Sequence, residues 1–131
     1  MKRTILVIED NEQNLYLVTF LLEQGGFKVV AARSGFEGIV LAGQIQPDLI
    51  LLDIQLPQID GYAVARELRQ NPALKNVPVV AVTSYAMVGD RERTLEAGCS
   101  GYIEKPINPD TFRNEIAKYL ETPPEDKRSR K

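Results

Sequence analysis

Short, nearly unbroken apolar runs punctuate the chain: ILVI at 5–8, FKVVAA at 27–32, LILL at 49–52, VVAV at 79–82 and the shorter GYI at 101–103. Runs of this length, rich in Val and Ile, suit strands covered on both faces, as in a parallel sheet. Between them the spacing changes to that of helices. Leu15, Val18, Leu21 and Leu22 form one stripe, and Gly25–Gly26 ends that segment. In SGFE, Ser34 and Glu37 stand at capping-box spacing and open a second helix, which Pro47 stops. A third helix is predicted over 62–69, before Asn71–Pro72, and a fourth from Met87 to Ala97, stopped by Gly98. In NPDTF, Asn108 is placed as N-cap, Pro109 at the first helical position and Asp110 in the first turn, with the helix reaching Leu120.

Strict alternation of strand and helix implies a doubly wound α/β sandwich, with right-handed crossovers placing helices on both faces. In such sheets ligands bind beyond the carboxyl ends of the strands, where strand order reverses. The chain has 131 residues and no internal repeat, the size of one domain. That domain is assigned to residues 1–121. Residues 122–131, with two prolines, a basic end and no apolar residue, are expected to form a disordered charged tail.

Composition narrows the chemistry. With 26% charged residues and a net charge of −2, nothing favours binding to nucleic acid or an acidic membrane surface. No apolar run approaches the roughly 20 residues of a bilayer span, and Ile5–Ile8 is too short for a signal peptide. Cys99 stands alone, so no internal disulfide forms, which fits a reducing cytoplasm. Histidine is absent, which excludes Ser-His-Asp and Cys-His activation and any zinc site needing imidazole. Chemistry here must run on carboxylates, hydroxyls and lysine.

The strand ends carry those groups. In LILLDIQLP the most apolar run stops on Asp53; the others lead into Glu9-Asp10-Asn11, Thr83-Ser84 and Lys105-Pro106. Taken singly each has an ordinary reading. Asp10 or Asn11 could cap the first helix, Asp53 could open a turn, Thr83 could be structural and Lys105 a solvated charge. Those readings do not explain why all converge on one edge. Clustered carboxylates repel one another, and a hard divalent cation such as magnesium, which takes oxygen ligands, offsets that. Lysine and a threonine hydroxyl suit phosphoryl oxygens, and a carboxylate can serve as nucleophile.

Four segments together, ILVIEDN (5–11), PDLILLDIQLPQIDG (47–61), VPVVAVTSYA (77–86) and GYIEKPI (101–107), resemble the receiver domains of two-component response regulators. The resemblance covers essentially residues 3–120. EDNEQN and AVTSYAM look most like the single-domain, DivK-like type, and also like receivers excised from hybrid histidine kinases. It implies a flavodoxin-like fold with five helices and a five-stranded sheet in the order 2-1-3-4-5. It implies that Asp53 is the phosphoacceptor and that magnesium, or manganese in its place, is bound directly by Asp10, through water by Glu9, by Asp53, and by the Gln55 backbone carbonyl. Thr83 would hydrogen-bond the phosphoryl group, Lys105 would pair with it, and Tyr102 would be the aromatic switch. Gln55 and Tyr85 would flank the phosphoryl group and tune its lifetime, and the Lys105–Pro106 bond would be cis. Glu9 stands where many members have aspartate.

The implied protein is a cytoplasmic signalling switch rather than an enzyme, a monomer or weak dimer that binds neither nucleic acid nor membrane. Its partners would be a histidine kinase or histidine phosphotransfer protein and a downstream protein target, the output surface being the face of helix 4, strand 5 and helix 5. Since the chain has no histidine, a phosphohistidine donor must act in trans. A phosphate sink is an alternative role. An aspartate-nucleophile phosphatase of the haloacid dehalogenase type would need a second acid two residues after Asp53, where Gln55 stands. A flavodoxin-like nucleotide binder would want N–H donors after strand one, where EDNEQN offers carboxylates. A receiver-shaped binding module without phosphorylation is opposed by the presence of Asp10, Asp53 and Lys105.

Overall fold

The apolar runs become parallel strands whose alternate residues feed two separate cores. The computed structural model describes residues 2–56, 60–84 and 88–121; Tyr85 and the tail 122–131, for which the sequence raised expectations, lie outside the described residues. In chain order the elements are β1 (Thr4–Ile8), α1 (Glu12–Gln24), β2 (Lys28–Ala32), α2 (Gly35–Ile45), β3 (Leu49–Asp53), α3 (Gly61–Gln70), a 3-10 turn (Pro72–Leu74), β4 (Val79–Thr83), α4 (Val88–Glu96), β5 (Gly101–Glu104) and α5 (Pro109–Glu121). The sheet among the described residues has five strands in the order β2-β1-β3-β4-β5, all paired in parallel.

Side chains along a strand alternate between faces. Leu6, Ile8, Ile50, Leu52, Val79 and Ala81 pack with Ala42 of α2 and Val64, Ala65 and Leu68 of α3. Their neighbours Ile5, Val7, Leu49, Leu51, Val80, Val82 and Ile103 pack with Leu15, Val18, Leu21 and Leu22 of α1 and Phe112 and Ile116 of α5. Phe112 and Ile116 are wholly buried, each worth about 1.5–3 kcal/mol of transfer free energy. β2 departs from the expectation of strands covered on both faces. It is an edge strand with Lys28 and Ala31 exposed and Val29 and Val30 only half-buried.

The helix ends follow local chemistry. The Asn11 side chain caps α1 by accepting from the Asn14 N–H at 2.9 Å, and Asn108 accepts from the Asp110 N–H at 2.9 Å at the start of α5. Ser34 accepts from the Glu37 N–H at 3.1 Å, but the returning Glu37 carboxylate takes the Arg33 N–H rather than that of Ser34. α2 ends at Ile45 and is capped by Gln46, in the left-handed region with φ 48°, immediately before Pro47. Gly98 (φ 103°) follows α4, and its carbonyl accepts from Arg69 Nε at 2.7 Å, which ties the end of α4 to α3. Arg93 lies 4.3 Å over the Tyr62 ring, a second α3–α4 tie. Among the described residues no helix is long and apolar enough to cross a membrane.

Gly61 sits where the chain returns from the end of β3: a Cβ there would fall 2.5 Å from the Ile54 Cα and 2.6 Å from its carbonyl oxygen. Backbone cannot yield as a side chain can. Gly61→Ala is therefore expected to destabilise by about 1–3 kcal/mol in urea unfolding. Gly43→Ala, whose Cβ would meet only Asn71 Nδ2 at 3.5 Å, should be neutral or stabilising by up to about 1 kcal/mol. Equal destabilisation by both would contradict this packing.

Candidate functional site

The same alternation that builds the two cores delivers the polar groups. Continuing Ile5–Val7, Leu49–Leu51 and Ile103 by one two-residue step places Glu9, Asp53 and Lys105 on the α1/α5 side, at the carboxyl edge of β1, β3 and β5. Thr83 continues Val79–Ala81 on the opposite face, where the half-buried Tyr102 packs. The register pairs Ala81 with Tyr102 and Thr83 with Glu104, so Thr83 and Tyr102 are one step apart on one face.

Ligand oxygens of Glu9, Asp10 and Asp53 lie within 4.8 Å of one another. Glu9 is 4% exposed and Asp53 3%, whereas Asp10 faces solvent. Lys105 Nζ lies 3.3 Å from Asp53 Oδ2 and 3.7 Å from Glu9 Oε1. It is the cation within ion-pair reach of these two among the described residues. Each carboxylate also accepts a backbone N–H two residues on: Gln55 N–H to Asp53 Oδ1 at 2.9 Å, and Asn11 N–H to Glu9 Oε2 at 3.1 Å. The Lys105–Pro106 peptide bond is cis, and the Lys105 N–H donates to the Thr83 carbonyl at 2.8 Å.

One ammonium does not balance this crowd. Burial, then the hydrogen bond and negative charge of Asp53, push the Glu9 carboxyl up from 4.5 to about 7, against the opposing pull of Asn11 and Lys105. An all-oxygen cluster, too rich in negative charge for its one lysine, fits a hard divalent cation of the magnesium class. The donor chemistry therefore agrees with the group that the sequence resemblance implies.

The structure brings Glu9, Asp10, Asp53 and Lys105 together, with Thr83 3% exposed at the end of the adjacent strand. Gln55 is exposed at the rim, and its side-chain Oε1 accepts the Ser84 N–H at 3.2 Å. That bridge between the loops after β3 and β4 is not legible in spacing, because it joins residues 29 apart. Asn11 serves twice, as cap of α1 and as N–H donor to Glu9. An Asn following a strand and preceding an amphipathic segment signals the first role, not the second.

With this geometry in place, the likeness to known proteins is specific. Residues 5–117 match the family described as the response regulator receiver domain. The chain is 43% identical over 120 residues to the polar-differentiation response regulator DivK of Brucella ovis, covering 92% of this chain and 98% of that protein. Its fold matches the receiver domain of a Pseudomonas aeruginosa sensor histidine kinase, a structure described with magnesium coordinated in its active-site cleft. There the TM-score is 0.85 and the identity 31%, over 92% of this chain and 99% of that one. The chemotaxis protein CheY4 of Vibrio cholerae shares the fold with a TM-score of 0.88 at 22% identity, over 92% of this chain and 100% of that one. The chain belongs to the response regulator receiver domain family of signalling proteins.

Proposed function

We propose that this receiver accepts a phosphoryl group on Asp53 from a partner's phosphohistidine and reports it through the face of α4, β5 and α5. The observation that carries the reading is the buried Asp53 carboxylate, held between Lys105 Nζ at 3.3 Å and the Gln55 N–H at 2.9 Å beside two further carboxylates. A carboxylate oxygen of Asp53 forms a bond to phosphorus as the partner's N–P bond breaks, and the imidazole leaves with the electron pair. Lys105 stabilises the charge on the transferring group, and the Thr83 hydroxyl binds one of its oxygens. Glu9, Asp10, Asp53 and the Gln55 backbone carbonyl would hold magnesium, which when bound neutralises phosphoryl and carboxylate charge in the crevice.

Readout follows from the shared face of Thr83 and Tyr102. A new hydrogen bond from Thr83 draws on the strand neighbouring Tyr102, whose side chain packs on the core of the α2/α3 side. Next to it, Tyr102, Glu104, Pro106, Asn108, Thr111 and Glu115 line a cavity of about 350 Å³, open to a protein partner. On the donor side, Tyr16 is 74% exposed and Phe20 48%, four residues apart on α1, the helix that begins beside the site. These support docking of a histidine kinase or phosphotransfer protein there, in a cytoplasmic setting. Near-complete switching takes about 5 kcal/mol of differential affinity, and one charge-assisted hydrogen bond supplies about 1.5–3. Thr83 therefore shares the work with Lys105 and the metal.

Incubation with a small acyl phosphate and magnesium should add one phosphoryl group by intact mass. Asp53→Asn should abolish the adduct and Asp10→Asn nearly so, while Thr83→Ala should keep it but give smaller amide shifts across residues 101–104. Undiminished labelling of Asp53→Asn would overturn the assignment.

Glu9 makes the site sensitive to pH. The folded chain holds a proton on Glu9 that the unfolded chain has released between about pH 4.5 and 7. Stability in a chelator therefore falls as pH rises through that window, by about 2–3 kcal/mol more than in Glu9→Gln. Glu9 would have to give up the same proton to a bound magnesium, so magnesium affinity should rise with pH across the same range. Denaturant unfolding at pH 5 and pH 8 measures the first effect, and identical slopes for wild type and Glu9→Gln would refute it.

A further inference from the structure

We infer that Tyr119 is a positioning residue for the readout: its hydroxyl holds the β5 backbone at Tyr102 from the outer edge of the sheet, so that events at Asp53 turn the Tyr102 ring rather than shift the strand. The inference rests on the reading of Asp53 as phosphoacceptor and of Tyr102 as the residue that reports it, and it adds a residue of α5 to that reading. Among the described residues β5 is an outermost strand, paired with β4 alone. Such a strand turns every second N–H away from the sheet. The Lys105 N–H donates to the Thr83 carbonyl at 2.8 Å, so two residues back the Ile103 N–H also faces β4, and the Tyr102 N–H between them faces outward. The side chains alternate too. Ile103 lies in the α1/α5 core, so Gly101 presents its bare Cα to α5, while Tyr102 packs on the α2/α3 core.

Tyr119 occupies the place that a side chain at Gly101 would take. A Cβ on Gly101 would fall 2.6 Å from Tyr119 Cζ and 2.7 Å from Cε1, and nearer still to the hydroxyl oxygen. The ring is half-buried against the α1/α5 core, on a helix already seated by the wholly buried Phe112 and Ile116. From there the hydroxyl accepts the Tyr102 N–H. Burial, then the Glu115 charge, raise the Tyr119 phenol above its ordinary value against the pull of that N–H, so the acceptor is un-ionised at neutral pH. β5 is thus held on both edges at the readout residue, by the β4 ladder on one side and by α5 on the other. Thr83 is one step from Tyr102 in the register, and a pull on it reaches β5 through that ladder. With its outer N–H released, an edge strand would yield along its backbone. With that N–H held, rotation about the Tyr102 Cα–Cβ bond is the softer response.

The test uses isotopically labelled full-length chain, with beryllofluoride and magnesium as the phosphoryl mimic. Tyr119→Phe keeps the ring and removes the acceptor. Without the mimic, the Tyr102 amide should exchange with solvent about two- to tenfold faster in Tyr119→Phe than in wild type, the value of one neutral hydrogen bond. Mimic affinity should agree within about twofold, because Tyr119 does not touch the site. On binding, wild type should shift the Tyr102 ring resonances while the Cα shifts across residues 101–104 change little. Tyr119→Phe should show the reverse, with smaller ring shifts and larger Cα shifts. Equal Tyr102 exchange in the two proteins would overturn the inference, as would Cα shifts in wild type as large as those in Tyr119→Phe. Mimic affinity lowered tenfold in Tyr119→Phe would also overturn it, by making Tyr119 a support of the whole site. If wild type bound no mimic at all, the phosphoacceptor reading would fall and the role of Tyr119 with it. Binding at Asp53 with β5 indifferent to Tyr119 would remove Tyr119 alone.

Discussion

The Lys105 ammonium, set 3.3 Å from Asp53 and 3.7 Å from Glu9, is the interaction on which the site depends. Two carboxylates this deeply buried cannot both ionise cheaply, and one lysine offsets only part of the cost. The excess appears as the raised Glu9 carboxyl and as an oxygen cluster open to a cation. What would be a flaw in a purely structural edge is an excess of negative charge that suits the metal and phosphoryl group proposed for the site.

The fold supplies the precision. Parallel strands in the order β2-β1-β3-β4-β5 put β1 beside β3 and β4 beside β5, so the residues following four strands share one edge. Period-two alternation then sorts them, with Glu9, Asp53 and Lys105 toward α1 and α5, and Thr83 and Tyr102 toward the face of α2 and α3. The charged cluster and the Thr83–Tyr102 pair thus occupy opposite faces of the same sheet.

Much of this was legible in the sequence, for physical reasons that differ by element. The strands and the caps Ser34 and Asn108 are local, so periodicity and side-chain reach predicted them, while for the first helix they left Asp10 and Asn11 both open and the structure picks Asn11. The strand ends were legible because parallel α/β topology forces carboxyl edges together whatever the sequence between them. The exposed edge of β2 was not legible: KVVAA is as apolar as a central strand, and only pairing reveals which strand is outermost. Nor was the difference between buried Glu9 and exposed Asp10, adjacent residues that strand alternation separates only once the edge of the sheet is placed. The Gln55–Ser84 bridge and the reach of Glu37 to Arg33 depend on positions in space that no spacing encodes.

The central claim is that the crevice carries more negative charge than its lysine balances, and that a divalent cation completes it. Thermal unfolding of wild type and Asp53→Asn at pH 8, in a chelator and in millimolar magnesium, addresses this directly. The account requires Asp53→Asn to melt higher than wild type in the chelator, because a repelling buried carboxylate is gone, and magnesium to raise the wild type by several degrees while hardly moving the variant. A variant that melted lower in the chelator and gained as much from magnesium as the wild type would contradict it.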